Sequence, residues 1–140
     1  MRLREGGARV DEVCVRVPMY LLDGVASWRE LDVECGYRPE NPYAVRLDFG
    51  AGEQGAVWLL SRETLAAGLR GPAGDGDVHI APGEGGDVFI ALGGGAGVAL
   101  LTTPAGALAR FLAATDELVP AGTEASRINW DRCIQEFLSI

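Results

Sequence analysis

The most constraining feature of this sequence is the spacing of apolar residues along its first half. Apolar residues occupy alternate positions in residues 13–21, 31–37 and 45–49. Successive side chains of a β-strand point to opposite faces, so this spacing predicts strands that each bury one face. A further apolar run, residues 57–60, follows the glycine-rich turn at 50–55. The first half is therefore predicted to be a meander of four strands.

Pro18 lies inside the first of these runs. Proline has no N–H group and cannot donate a hydrogen bond to a sheet ladder. We therefore expect Pro18 to mark a sheet edge or a β-bulge.

The middle of the chain predicts one short helix and then a second set of strands. Ser61 stands at an N-cap position, and the Gly71-Pro72 pair ends the helical run. Residues 72–77 have the composition of a turn, and strands are predicted at 78–81, 87–92 and 98–103. The last two strands are joined by a glycine run typical of a hairpin.

The strands of the second half are apolar on both faces, as the run Val88, Phe89, Ile90, Ala91 and Leu92 shows. A strand with one solvated face would alternate apolar and polar residues instead. We therefore expect a helix to cover one face of this half and another layer or subunit to cover the other.

Two helices are predicted near the C-terminus. Thr103 as N-cap and Pro104 as first helical residue begin the longer one. Its buried stripe has the i, i+3, i+4, i+7 spacing of an amphipathic helix: Leu108, Phe111, Leu112 and Thr115.

The last helix is predicted to begin after an N-cap at Asn129, with Ile128 placed to pack on Cys133. Four residues form its apolar face: Trp130, Ile134, Phe137 and Leu138. A helix this short is marginally stable on its own, so we expect it to dock on another surface.

Length and composition limit the chain to one domain. With 140 residues, 48% of them hydrophobic, it can bury a core without disulfides or metals. Four strands, a helix, three strands and two helices predict an α+β fold in a single domain, residues 1–140.

The charge of the chain argues against nucleic acid as a partner. The net charge is -8, and all 12 cationic residues are scattered arginines, which we interpret as the codon bias of a GC-rich genome. The N-terminus lacks a signal-peptide pattern and no long apolar run follows, so we expect a soluble cytoplasmic protein. Three widely spaced cysteines, Cys14, Cys35 and Cys133, are interpreted as small buried hydrophobic residues in a reducing compartment.

No combination of residues predicts catalysis, a metal site or a cofactor. His79 is the single histidine and no nucleophile motif surrounds it, so we interpret it as a partly exposed strand residue. The segment Asp75-Gly76-Asp77 lacks the ligand spacing of a calcium loop and is predicted to be a turn. We therefore predict that the protein is not an enzyme.

The candidate interaction residues are few. Trp28 has polar neighbours, and Arg46 and Asp48 lie on the charged face of a predicted strand, so these three are candidates for partner binding, with solvent exposure alone as the favoured interpretation. Five large residues are predicted to pack in the core or in an oligomer interface: Trp58, Leu108, Phe111, Trp130 and Phe137.

A set of residues between Asn41 and Glu124 resembles the SsgA-like proteins, which control sporulation-specific cell division in filamentous actinobacteria. The matching residues are Asn41-Pro42-Tyr43-Ala44-Val45, Trp58, Ser61-Arg62-Glu63, Leu65, Gly68-Leu69, Pro72, Gly74, Gly76-Asp77-Val78, Gly97, Ala99-Leu100, Pro104, Leu108, Phe111-Leu112, Thr115-Asp116, Val119-Pro120 and Gly122-Thr123-Glu124. The subgroup within the family is left open, because the turn between Pro82 and Asp87 is shorter than usual and the two ends match only in pattern.

The resemblance implies a curved antiparallel sheet of about seven strands, with a mid-chain helix and two C-terminal helices. It implies a fold similar to the whirly single-stranded nucleic-acid-binding proteins, and a homo-oligomer, with a trimer expected. Family members are non-enzymatic adaptors that mark septum sites and recruit the tubulin-like GTPase FtsZ. The expected partners are thus other SsgA-like proteins and FtsZ or its associated division proteins, at division septa. The matched residues are interpreted mostly as architecture, and single-stranded nucleic-acid binding is the alternative function.

Overall fold

Eight antiparallel strands form one sheet in the computed structural model, which describes residues 12–22, 27–50, 57–94 and 97–138. The strands are β1 Val13–Leu22, β2 Trp28–Tyr37, β3 Ala44–Asp48, β4 Val57–Ser61, β5 Ala73–Asp75, β6 Val78–Pro82, β7 Asp87–Gly94 and β8 Gly97–Pro104. The helices are α1 Arg62–Gly68, α2 Ala105–Leu118 and α3 Trp130–Leu138, with 3₁₀ turns at Glu84–Gly86 and Glu124–Arg127. The α+β class is as predicted, and most of the glycine-rich turn expected at 50–55 lies outside the described residues.

The sheet consists of two four-stranded meanders placed side by side, in the order β4-β3-β2-β1-β8-β7-β6-β5. They join where Tyr20 and Leu21 of β1 pair with Thr102 and Leu101 of β8. The sheet has one strand more than the expected seven, because β5 was predicted to be a turn. β5 has only three residues and contains Gly74, so it carries no apolar alternation.

One face of the curved sheet, here called the inner face, is covered by α1 and α2 and contains the core. Leu108 and Phe111 of α2 are fully buried there, and α2 packs on β1 and β8. α1 begins at Ser61, whose Oγ accepts a hydrogen bond from the Thr64 N–H at 3.1 Å, as predicted for an N-cap. α1 packs on β5 and β6. The half-buried Trp58 also lies on the inner face, beside a small apolar cavity.

Two predictions about β1 and β8 are wrong. Pro18 lies in an inner strand with a continuous register to β2, so it marks neither an edge nor a bulge there. Its carbonyl accepts a hydrogen bond from the Thr103 hydroxyl at 2.9 Å, on the side where the ladder with β8 has ended, so the missing N–H costs no ladder bond. Thr103 is therefore the buried end of β8 rather than an N-cap, and Pro104 takes the N-cap position of α2.

The cysteines differ in their environments. Burial is the main cause that raises the pKa of the Cys35 thiol to about 12, so this residue is an inert core residue as expected. Cys14 is half-buried, whereas Cys133 on α3 is exposed. The expectation of a buried Cys133 is wrong, because every residue of α3 from Trp130 to Leu138 is exposed. No helix in the described ranges is long and apolar enough to span a bilayer.

Candidate interaction surfaces

The side chain of Arg62 joins four parts of the fold. Its Nη1 donates hydrogen bonds to the carbonyl oxygens of Thr115 at 3.2 Å and Val119 at 2.7 Å, which closes the C-terminal end of α2. Its Nη2 donates to Oε2 of Glu124 at 2.7 Å, and the guanidinium lies 4.8 Å from the centre of the Tyr37 ring. We call these contacts the Arg62 clasp. They connect β2, α1, α2 and the 3₁₀ turn that leads to α3.

The clasp is almost dry, because the Arg62 and Glu124 side chains are 6% and 14% exposed. The hydrogen bond from Arg62 holds the pKa of the Glu124 carboxyl below its ordinary value. Oε1 of Glu124 also accepts a hydrogen bond from the Gly122 N–H at 2.9 Å. The carboxylate therefore fixes the chain just before α3 begins.

Helix α3 projects from this anchored base with every residue exposed. Asn129 caps it as predicted, because its Oδ1 accepts a hydrogen bond from the Arg132 N–H at 2.9 Å. Trp130 and Phe137 are 53% and 73% exposed, so neither packs in the core of this chain. Together with Ile134 and Leu138 they form an uncovered surface that we call the α3 stripe. The expected contact of Ile128 with Cys133 is not formed as a buried staple, since Cys133 is exposed.

The outer face of the sheet is divided into a charged half and an apolar half. The charged half spans β1–β3 and directs four acids and two arginines outward: Arg16, Glu30, Asp32, Glu34, Arg46 and Asp48. The edge strand β4 beside it exposes the apolar side chains of Val57 and Leu59. Arg16 pairs with Asp32 at 2.9 Å, and Arg46 pairs with Glu34 at 3.6 Å. The arginines of this half are thus engaged locally by neighbouring acids.

The three candidate partner residues lie on this charged half but do not form one site. Arg46 lies over Gly36 and pairs with Glu34, while Oδ1 of Asp48 accepts a hydrogen bond from the Gly50 N–H at 2.8 Å. Trp28 is exposed at the far end of β2, about 20 Å from Glu34 at the usual rise per residue.

The apolar half of the outer face spans β5–β8. Between the strand ends, the residues that face outward are Gly74, His79, Ala81, Phe89, Ala91, Gly93, Val98, Leu100 and Thr102, while Asp87 and Pro104 face outward at one end. A groove of about 510 Å³ crosses it, with Phe89 and Leu100 among its walls and Ala81 and Ala91 in its lining. No other element among the described residues covers this face, although the sequence predicts a covering layer or subunit. The exposed His79 lies at this groove, packed beside Gly74.

The described ranges contain no group of His, Cys, Asp or Glu side chains arranged to hold a metal ion. The structure instead presents two exposed apolar surfaces, the stripe on α3 and the apolar half of the sheet. Both are suited to protein contacts, because large exposed apolar patches mark interaction sites.

The Arg62 clasp was missed by the sequence analysis, although its residues stand in the family pattern as Ser61-Arg62-Glu63 and Gly122-Thr123-Glu124. One signal was available. A cation in the first turn of a helix opposes the helix dipole, so Arg62 at that position indicates a side chain engaged elsewhere.

Comparison with known proteins agrees with the fold. The family model described as "Streptomyces sporulation and cell division protein, SsgA" matches residues 31–124. The chain is 40% identical over 122 residues to the sporulation-specific cell division protein SsgB of Streptomyces coelicolor, covering 82% of this chain and 88% of that protein. SsgB of Thermobifida fusca is 40% identical over 107 residues, covering 74% of this chain and 78% of that protein.

Two solved structures of SsgA-like proteins superpose on this chain. The crystal structure of an SsgA-like sporulation-specific cell division protein from Thermobifida fusca superposes with a TM-score of 0.79 at 33% identity, covering 90% of this chain and 95% of that one. A second structure was reported with SsgB mutations that correlate to longitudinal cell division during sporulation of Streptomyces coelicolor. It superposes with a TM-score of 0.76 at 35% identity, covering 86% of this chain and 99% of that one. The chain therefore belongs to the SsgA-like family of sporulation and cell division proteins.

Proposed function

We propose that this protein acts in cell division during sporulation as a non-enzymatic adaptor that helps to localise or recruit the division machinery at septum sites. Its partners would be other SsgA-like proteins and FtsZ or proteins associated with it. The relatives named above as sporulation-specific cell division proteins support the process. The molecular role is inferred from an exposed apolar surface of the chain.

The α3 stripe is the observation that carries this proposal. A nine-residue helix with all its apolar side chains in solvent gains little stability from its own hydrogen bonds. Its stripe therefore needs a protein surface to cover it, and the first such surface in our proposal is another copy of the chain. An oligomer presents several identical weak sites, and this multivalency raises avidity toward a polymerising partner such as FtsZ without any new contact.

A localisation and capture experiment tests the role. The full chain is fused to a fluorescent protein in a sporulating actinobacterium, and the purified chain is used to capture FtsZ and other SsgA-like proteins. We expect septal fluorescence and capture of at least one of these proteins. Diffuse fluorescence together with no capture would end the adaptor proposal.

Matched variants identify the surface that localisation and capture require. Trp130→Ser combined with Phe137→Ser removes the aromatic part of the stripe, and we expect both localisation and capture to be lost. Glu136→Gln changes the polar side of the same helix and should behave as the original chain. Equal behaviour of the two variants would show that the stripe is not the surface used.

A further inference from the structure

The stripe and the apolar sheet half are two uncovered apolar surfaces in one chain. The stripe exposes Trp130, Ile134, Phe137 and Leu138, and the sheet half exposes Phe89 at 37% and Val98 at 70%. We propose that α3 of one copy docks on the outer face of β6–β8 of a second copy. This inference rests on the self-association included in the proposed function, and it names the surface that receives α3.

Helix α3 does not lie on that face of its own chain, since all of its residues are exposed. Its base is fixed on the inner side of the sheet by the Arg62 clasp, and Nη2 of Arg127 donates a hydrogen bond to the Leu118 carbonyl at 3.3 Å, beside the end of α2. Only Ile128 and Asn129 separate the 3₁₀ turn from α3, and two extended residues span at most about 7 Å. Both apolar surfaces of one chain thus stay uncovered in this arrangement, and we infer that the contact is made between copies.

The sheet half fits the stripe in both chemistry and shape. The side chains that it directs outward between its ends carry no carboxylate or guanidinium, so α3 would bury no acidic or arginine side chain there. The charged half would instead bury Glu30, Asp32 or Arg46 against the same stripe. The groove has small residues, Gly74, Ala81 and Ala91, between larger walls, which leaves room for an aromatic ring.

The area of the contact favours an exchange of α3 helices over an unrelated partner that takes only α3. Trp130 and Phe137 are the largest side chains of the stripe, and an aromatic side chain buries about 150–250 Å². The stripe thus supplies on the order of half of the roughly 800 Å² that each partner gives to a stable interface. When every copy both gives its α3 and receives another, its buried area doubles.

Helix α3 and the groove are different surfaces, so two copies can exchange helices about a two-fold axis, or successive copies can bind head to tail in a heterologous contact. A heterologous contact closes into a ring when the rotation between copies permits it. Each ring member then has its own α3 covered and its own sheet half occupied.

Site-directed cross-linking of the full chain tests this contact directly. Cys133 lies on α3 and is exposed, so it serves as the natural reactive group on that helix. In a Cys14→Ala background, Ala91→Cys places a second thiol in the groove, and a short bis-maleimide joins thiols that come close together. We expect covalent dimers and larger species in which Cys133 of one copy is joined to position 91 of another, identified by mass spectrometry.

The control variant is Glu30→Cys, which places the same thiol on the charged half of the outer face. We expect its cross-link to Cys133 to be absent, and Phe137→Asp to abolish the cross-link between Cys133 and position 91. Equal cross-linking at positions 30 and 91, cross-links found only within single chains, or an oligomer whose copies are never joined between Cys133 and position 91 would each overturn the inference. Thermal melting of every variant establishes that it is folded.

The result is independent of the wider role. A cross-link from Cys133 to position 91 between copies of a protein that captures no division protein would support the docking and contradict the adaptor proposal. Septal localisation without the cross-link would support the adaptor proposal and contradict the docking.

Discussion

The guanidinium of Arg62 and the carboxylate of Glu124 meet at 2.7 Å, although 62 positions separate them in the sequence. The same guanidinium binds the carbonyls at the end of α2 and lies over the Tyr37 ring. The pair therefore connects the sheet, both inner helices and the base of α3. Because every residue of α3 from Trp130 to Leu138 is exposed, this anchor determines where its stripe points.

Loss of the arginine should weaken the whole domain. Arg62→Met leaves the Glu124 carboxylate without its buried partner and removes the side-chain donor to the Val119 carbonyl, whereas the Thr115 carbonyl keeps its bond from the Val119 N–H. We expect the free energy of unfolding, measured in urea, to fall by about 3–5 kcal/mol, as for other broken buried pairs. Arg70→Met, at an exposed position just after α1, should change it by no more than about 0.5 kcal/mol. Similar losses for both variants would show that the clasp adds no stability.

The clasp should also make stability depend on pH in the acid range. The pKa of Glu124 is lowered in the folded chain from an ordinary value of 4.5, so the folded state binds the proton less readily than the unfolded state. The stabilisation is complete above the unfolded pKa and is lost as pH falls through the folded pKa. We expect the gap in melting temperature between the original chain and Glu124→Gln to narrow from about pH 6 to about pH 3. A gap that stays constant over this range would contradict the assignment.

Two helical glycines should respond in opposite ways to alanine. A Cβ at Gly68 would overlap Cγ2 of Ile80, because α1 approaches β6 closely at this point. We expect Gly68→Ala to lower the free energy of unfolding by about 1–3 kcal/mol, the usual effect of overpacking. At Gly106 a Cβ would meet only Nη1 of Arg110, at 3.5 Å, so Gly106→Ala should raise stability by about 0.5–1 kcal/mol. Urea unfolding of both variants checks this. A Gly68→Ala variant as stable as the original chain would show that α1 packs less closely on β6 than the structure indicates.

The charged half of the outer face bears on the alternative of single-stranded nucleic-acid binding. Its four outward acids outnumber its arginines, and Arg16 and Arg46 are paired with two of them. We expect no mobility shift with single-stranded oligonucleotides, or a weak shift that is erased by modest salt, because a polyanion is repelled from this surface. Tight binding at physiological ionic strength would favour the alternative.

The sequence predicted those parts of the fold that local chemistry determines. Alternation predicted β1 to β3 and an apolar run predicted β4. Ser61 and Asn129 act as caps as predicted, and the stripe on α2 is buried as its spacing indicates. β5 was missed because three residues around Gly74 carry no pattern. Thr103 was misassigned because its hydroxyl is engaged by Pro18, 85 positions earlier, and such a long-range contact leaves no local signal.

The interaction surfaces were only half visible in the sequence. The α3 stripe and the two-sided apolar strands could be recognised from spacing alone, since amphipathic patterns report uncovered faces as well as buried ones. The Arg62 clasp could not, because it forms between segments that the fold brings together from three regions of the chain. The sequence gives no reason to separate Trp28, Arg46 and Asp48 as candidates for partner binding. The strand register nevertheless places Trp28 far from the other two.

The mass of the protein in solution tests the central claim most directly, with light scattering applied to the full chain and to a chain that ends at Glu124. We expect the full chain to be an oligomer, with a mass that is a multiple of 14.8 kDa. The shortened chain keeps the clasp but lacks α3, and it should be a folded monomer that melts cooperatively, at a lower temperature because the contacts between copies are gone. A monomeric full chain, or a shortened chain with the same number of copies, would contradict a role for α3 in assembly.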